Sequence, residues 1–284
     1  MTFTAMDAGL QTLIEDLGRP GLSSIGVSRS GAFDRRSLRQ ANALVGNDPS
    51  AAGLEILAGR IDLRADADHL IALTGATGGA TIDGDPVAHG RAIVIHAGQR
   101  LVSAAPVTGI RMYLAIAGGI LAEQTLGSSS TDTLSGLGPP PVGTGDVIQV
   151  GTTRGHGADE EIPSLLPYGD LTLRVTQGPR HEWFSPEVFR HFLDTAWIVD
   201  SAAGRVGIRL DGPVIARLTE DELPSEPCLR GSIQISNEGQ PIVFGPDHPV
   251  TGGYPVIAVI HDADTDLLGQ ARPGQAIRFF LRLH

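Results

Sequence analysis

Three short stretches carry side chains suited to chemistry. In "EDLGRPG" (15–21), Asp16 and Arg19 flank a glycine free to make a tight turn. A carboxylate and a guanidinium brought together there either serve a reaction or clamp a β-turn as a salt bridge. In "RSGAFD" (29–34), Ser30 and Gly31 lead into a helix N-terminus, whose free amides suit an anion or a carbonyl. Capping by Asp34 alone would explain the same residues. In "DHPVTGGYP" (247–255), the Gly252-Gly253-Tyr254-Pro255 turn lets backbone approach something closely, unless it is simply an awkward hairpin.

The elements that must position these residues begin with one helix. Asp34 is a good N-cap, so the helix starts at Arg35; Leu38, Ala41 and Val45 recur at spacings of three and four, and Gly46 supplies the stop. Asn42 lies four after Leu38 and three before Val45, on the apolar face. A buried amide must find partners or cost roughly 1–3 kcal/mol. The expectation is that the helix packs over the "EDLGR" turn, with Asn42 bonding that turn's backbone and holding Asp16 and Arg19 in place.

Around this helix the pattern is mainly β. Short apolar runs such as "HLIALTGA", "DVIQVG", "LTLRVTQG" and "YPVIAVIH" lie between glycine- and proline-rich turns, which points to barrels or sandwiches rather than βαβ units. "AGQRLVSA", "TGDVIQVG" and "PGQAIRFF" share one strand-entry pattern, a turn at glycine followed by alternation. A second helix is expected at 185–193, capped by Ser185 with Pro186 in the first position. The segment 153–170 breaks the strand pattern with Gly, Pro and an acidic run, so we divide the chain into 1–160 and 161–284. The Ser- and Pro-rich segment 127–146 reads as a long functional loop.

Composition removes several chemistries. All 21 bases are arginine, so no Walker A lysine, Schiff-base lysine or biotinylated lysine exists on this chain. Any anion it holds is held by arginine, backbone amides or a metal. A net charge of −11 with dispersed bases argues against nucleic acid. One cysteine, Cys228, builds neither an internal disulfide nor a cysteine-rich zinc site. There is no GxSxG, HExxH, paired CxxC, EF-hand loop or GxGxxG after a strand. His181 and Glu182 adjoin, but strand neighbours point to opposite faces, so no metal site is expected. No apolar run approaches 18 residues and no charged-then-apolar leader opens the chain; the reading is a cytoplasmic protein without a membrane span.

Taken together, "EDLGRPG", "GVSRSGAFDRRSLRQANALVGN", "LEILAG", "LTGA", "AGGI", "LGSSSTD", "GRVGIRLDG", "GSIQIS" and "PIVFGPDHPVTGGYPVIAVI" resemble, in order and nearly end to end, the KipA-like proteins. That family is also called allophanate hydrolase subunit 2 or the C-subunit of 5-oxoprolinase, and is related to biotin-dependent carboxyltransferase domains. The resemblance implies two cyclophilin-like β-barrel subdomains with few short helices. It implies a KipI-like partner and a LamB/YcsF-like third subunit, acting together in the ATP-dependent opening of 5-oxoproline, a cyclic amide, with ATP bound mainly by the partner. One alternative it leaves open is the carboxyltransferase half of a urea carboxylase-like system, which would need a separate lysine-bearing biotin carrier. Another is a non-enzymatic regulator opposing a KipI-like kinase inhibitor. Ser129 stands where the family usually has lysine or arginine, and "GPPPVGTGD" has proline where arginine is common, so this loop has lost two cations.

Opening a stable amide after ATP activates its carbonyl oxygen calls for positioning and electrostatic stabilisation, by acids, arginines and amides rather than lysine. The catalytic candidates are Asp16 as an acid/base group, Arg19 as an anion clamp, and Asp34. Ser30, Gly31, Asn42, Arg205, Asp247, Gly252, Gly253 and Tyr254 are the substrate-binding candidates. No complete nucleophile, base and oxyanion set can be assembled from them, so the chain is expected to be inactive alone.

Overall fold

The computed structural model describes residues 1–152, 157, 161–163, 166 and 169–282. Most of the segment in which the sequence places the domain boundary therefore lies outside the described residues. Two compact units emerge: Met1–Arg19 with Ser30–Asp132 and Gly136–Leu166, and Pro20–Arg29 with Thr133–Ser135 and Pro167–His284. The chain thus passes between units at 19/20, 29/30, 132/133 and 135/136, within or beside the motifs at 15–21, 29–34 and 127–146.

The fold is mainly β, as the strand pattern required. Unit 1 is one curled nine-stranded sheet: β1 (Thr2–Asp7), β2 (Gln11–Glu15), β3 (Gly53–Leu57), β4 (Asp62–Ala65), β5 (His69–Ile82), β6 (Asp85–Pro86), β7 (Ala92–Ile95), β8 (Arg100–Ile116) and β9 (Val147–Gln149). Its main path runs β2-β3-β8-β4-β1-β9, and β5 pairs with β6, β7 and β8. The inner face holds a core that includes Phe3, Leu54, Ile56, Leu63, Leu73, Leu101 and Leu114.

Helix α1 (Arg35–Leu44) begins where the sequence places it, with the Asp34 side chain accepting from the Ser37 amide at 2.9 Å. Leu38, Ala41 and Val45 are fully buried; burying a leucine stabilises by about 1.5–3 kcal/mol. Leu38 packs with Ala32 and Tyr113 on the outer side of the sheet. That cover explains why "GLEIL" in β3 is buried on both faces. Leu54 and Ile56 enter the core, whereas Glu55 points to the other face and is buried there as well.

Unit 2 is a closed seven-stranded barrel in the order β10-β17-β14-β15-β12-β11-β18. Its strands are β10 (Leu171–Gln177), β11 (Trp197–Val199), β12 (Gly207–Asp211), β14 (Ser232–Ile235), β15 (Pro241–Phe244), β17 (Val256–Ile260) and β18 (Ala276–Leu281), with β13 (Glu226–Pro227) and β16 (Thr251–Gly252) as a separate pair. Parallel pairing of β10 with β18 closes the ring. The burial pattern of "LTLRVTQ" in β10 alternates cleanly, one face in and one out. Helix α2 (Pro186–Asp194) is capped by Ser185, and its Phe192 stacks on Phe279 at 4.9 Å. A short α3 (Thr265–Leu268) precedes β18.

The shared strand-entry pattern is real. Gly98, Gly145 and Gly274 all have positive φ, and each donates its N–H to a carbonyl of another strand or its edge, Ala65, Ala5 and Val199 respectively.

Candidate functional site

The site in unit 1 grows from the turn after β2. One oxygen of Asp16, Oδ1, accepts from the Gly18 amide at 2.7 Å and from the Ser128 and Ser130 hydroxyls at 2.6 Å each; Oδ2 accepts from the Ser129 amide at 2.8 Å. The Asp16 carbonyl accepts from the Ala32 amide at 2.9 Å. One carboxylate therefore binds the 15–21 turn to the 127–131 loop, and its backbone reaches the 29–34 segment. Three of the four donors converge on Oδ1 and one on Oδ2, so the carboxylate is held in place by backbone and hydroxyl groups and only Oδ2 keeps an acceptor position.

Gly31 shows how close these segments come. Its φ is +88°, and a Cβ there would sit 2.7 Å from the Gly18 nitrogen. Next to it Ser30 adopts φ +53°, unusual for a residue with a side chain, and donates its hydroxyl to the Thr131 carbonyl at 3.2 Å. An outlier held in place by surrounding bonds is common at functional sites.

Arg19 completes the cluster. Its side chain is buried, with Nε donating to the Thr125 carbonyl at 3.3 Å and Nη2 to the Ser130 carbonyl. Among the described residues no carboxylate pairs with it, and Nη1 has no hydrogen-bond partner. Of the two readings of this stretch, the Asp16–Arg19 salt bridge is not what holds the turn. Gly138 lies against this guanidinium: a Cβ there would be 3.3 Å from Nη2 and 2.0 Å from the Ser130 carbonyl oxygen.

A second polar cluster stands behind the 29–34 segment. The Asp34 amide donates to the Tyr113 hydroxyl at 2.7 Å, and that hydroxyl donates to Glu55 Oε2 at 2.7 Å, which also accepts from the Phe33 amide at 2.8 Å. Arg111 lies 3.2 Å from Glu55 Oε1, with its guanidinium 4.5 Å from the Phe33 ring centre. Burial, then the negative charge of Glu55 and Asp34, pushes the Tyr113 phenol well above its ordinary range. Tyr113 stays neutral, as its donation to Glu55 requires.

Sequence reasoning missed Glu55, Arg111 and Tyr113, and read Ser129 in the 127–146 loop only as a lost cation, not as part of the set of serines that holds Asp16. The signal for Glu55 was faint: alternation in "GLEIL" reads as a solvent-facing acid when nothing says a helix covers that face. Asn42 is a correction. It is buried on α1 as expected, but its Nδ2 donates to the Ala51 carbonyl at 2.8 Å and its Oδ1 accepts from Asn47 at 3.0 Å. Asn47 reaches on to the Ile116 carbonyl and the Gly118 amide. Asn42 lies a full turn beyond Leu38, so it meets the chain leaving the helix rather than the "EDLGR" turn.

Unit 2 holds the other candidates in two separate places. Arg205 forms a bidentate pair with Asp247, at 2.8 and 2.9 Å, and Asp247 also accepts from the amide and hydroxyl of Thr133. Both side chains are buried. Gly252 belongs to β16, and a Cβ on it would be 2.5 Å from the Gln234 amide nitrogen, which donates to the Tyr254 carbonyl at 3.1 Å. Gly253 and Tyr254 line a cavity of about 700 Å3. Burial pushes the Cys228 thiol up, away from the thiolate a nucleophile needs. Among the described residues no three His, Cys, Asp or Glu cluster as metal ligands, and no helix is long and apolar enough to cross a membrane.

One unit built on a curled sheet and one on a closed barrel make this a two-unit, mainly β protein. The family model described as "Carboxyltransferase domain, subdomain A and B" matches residues 25–281, and the chain belongs to that family. It is 38% identical to the C-subunit of 5-oxoprolinase from Escherichia coli over 96% of this chain and 88% of that one. It is 30% identical to urea amidolyase of Saccharomyces cerevisiae, over 95% of this chain but only 16% of that protein. The crystal structure of the K. lactis urea amidolyase superposes with a TM-score of 0.91 at 28% identity, covering 98% of this chain and 18% of that one. The resemblance read from nine motifs is thereby established as kinship.

Proposed function

We propose that this chain is one subunit of an ATP-dependent, lactam-opening amide hydrolase, acting with a KipI-like partner and a LamB/YcsF-like subunit and inactive alone. The observation that carries the reading is the Arg19 guanidinium, buried and, among the described residues, without a carboxylate and with one nitrogen unpartnered. Charge without a counter-charge in a water-poor site is costly unless an anion arrives. Opening a lactam with ATP generates such anions, at the activated carbonyl oxygen and then at the carboxylate released. A guanidinium fixed by two backbone carbonyls is already oriented for developing negative charge, and so needs little reorganisation. Kinship with a protein named as part of 5-oxoprolinase supports this choice of reaction. In this scheme Asp16 is a positioning residue for the turn rather than the acid/base group, because four donors from the 15–21 turn and the 127–131 loop already hold its carboxylate.

A second reading, carboxyl transfer from a biotin carrier, is favoured by the family description and by the urea amidolyase relatives. A carboxylate in transit would use the same arginine, and the biotin would ride on a lysine outside these 284 residues, which contain none. Copurification of the chain with both proposed partners, followed by assay of glutamate release from 5-oxoproline with and without ATP, tests the first reading. ATP-dependent turnover in the complex and none from the isolated chain is expected. No turnover in the complex, with carboxylation of an amide acceptor by added carboxybiotin, would transfer the proposal to the second.

A further inference from the structure

The cavity in unit 2 has walls that none of the chemistry above uses. It is bounded by the loop 214–223, by Ser236–Gly239 at the end of β14 and by Gly253 and Tyr254. Its volume, about 700 Å3, falls in the range of small-molecule sites. One cation stands in the wall: Arg217, half-buried, whose Nη2 donates to the Ile235 carbonyl and whose guanidinium carbon lies 5.8 Å from the centre of the Tyr254 ring. Those two contacts anchor one side of the guanidinium, and among the described residues its remaining N–H groups are uncommitted. Burial lowers the Arg217 pKa, a mark of a cation partly stripped of water.

Four carboxylates share the same walls: Glu220, Asp221, Glu222 and Glu238. None of them pairs with Arg217 among the described residues. Asp221 accepts from Thr219 and Glu238 from Ser236, which leaves Glu220 and Glu222 as acids with no partner among the described residues. A cation and acids that line one cavity without neutralising each other can be satisfied together by a ligand that brings both signs. A simple anion would meet Arg217 but also four negative charges; a simple cation would leave Arg217 unmet. From this charge pattern we infer that the cavity binds a small zwitterion of the α-amino acid type. Its carboxylate sits on Arg217, and its ammonium faces the acidic loop. Tyr254 supplies the apolar wall beside the carboxylate, which gives the "GGYP" turn a ligand-facing role independent of the Arg19 site.

The test is calorimetric titration of the full chain with each of the twenty standard amino acids, followed by derivatives of the best one. Saturable 1:1 binding of at least one amino acid is expected, with Kd no weaker than about 10 mM, a few kcal/mol of affinity. Acetylating its amine or amidating its carboxylate should each weaken binding about tenfold or more. Arg217→Met should abolish binding. Because Arg217 also bonds Ile235, the exposed double variant Glu220→Gln/Glu222→Gln serves as a second probe; it should weaken the amino acid about fivefold and leave its N-acetyl form unchanged. Binding should be unaffected by Arg19→Ala, which separates this site from the proposed reaction. No saturable binding by any of the twenty, or binding undiminished in Arg217→Met, overturns the inference.

Discussion

Arg19 and Arg205 are equally withdrawn from water, 1% and 3% exposed, yet their surroundings are opposites. Arg205 is matched by Asp247 through two hydrogen bonds, and Asp247 is matched again by Thr133. Arg19 has two backbone carbonyls and, among the described residues, no carboxylate. In the first case the charge is consumed within the fold, and its role is to fix the 247 loop. In the second the fold supports an uncompensated cation, which it does at the cost of desolvation. A buried arginine in a motif is thus not one kind of signal but two, and its counter-ion separates them.

The comparison breaks most visibly at Asp247. Asp247→Ala should destabilise unit 2 by about 3–5 kcal/mol in urea denaturation, because it removes the carboxylate that pairs bidentately with the buried Arg205. The double variant Arg205→Met/Asp247→Leu should recover most of that loss; equal loss in both would mean that packing, not charge, is at stake. Arg19→Ala should show the reverse pattern. Turnover of the assembled complex should fall about 100-fold, the scale of one lost electrostatic donor, while urea stability changes by no more than about 1–2 kcal/mol, since only two carbonyls lose a partner. A stability loss as large as that of Asp247→Ala, with turnover intact per folded molecule, would make the two arginines alike.

Asn42 sharpens the distinction further. Asn42→Leu should cost about 1–3 kcal/mol of stability by removing the tie to Ala51 and Asn47, with turnover per folded molecule unchanged. Loss of turnover without loss of stability would restore it to the site. The smallest effect concerns Tyr113. Its phenol is pushed up by burial, so the native state keeps a proton that the unfolded chain releases above about pH 10. The stabilisation is fully present below that pH and declines as pH rises past it. Alkaline denaturation should therefore be shallower in Tyr113→Phe, and ultraviolet titration of the native wild type should show one of the three tyrosines silent until unfolding.

Much of this was legible from local chemistry. Asp34 and Ser185 as caps, Gly46 as a stop, the three strand-entry glycines and the β-rich pattern all follow from interactions within a few residues, which a sequence states directly. The same holds for the likeness of the motifs and for the absence of lysine, which confines anion binding to arginine, amides or metal. What sequence could not decide was pairing across distance. Whether Arg19 meets Asp16 or two carbonyls, whether Glu55 faces water or meets Tyr113 and the Phe33 amide, and whether Asn42 reaches the 15–19 turn or the 47–51 loop are settled by which segments pack together. Spacing along a helix fixes the face a side chain takes. It does not fix what lies opposite, because burial and counter-charge belong to the assembled sheet, where residues 16, 31 and 128–131 come within hydrogen-bonding and contact distance across more than a hundred positions of chain.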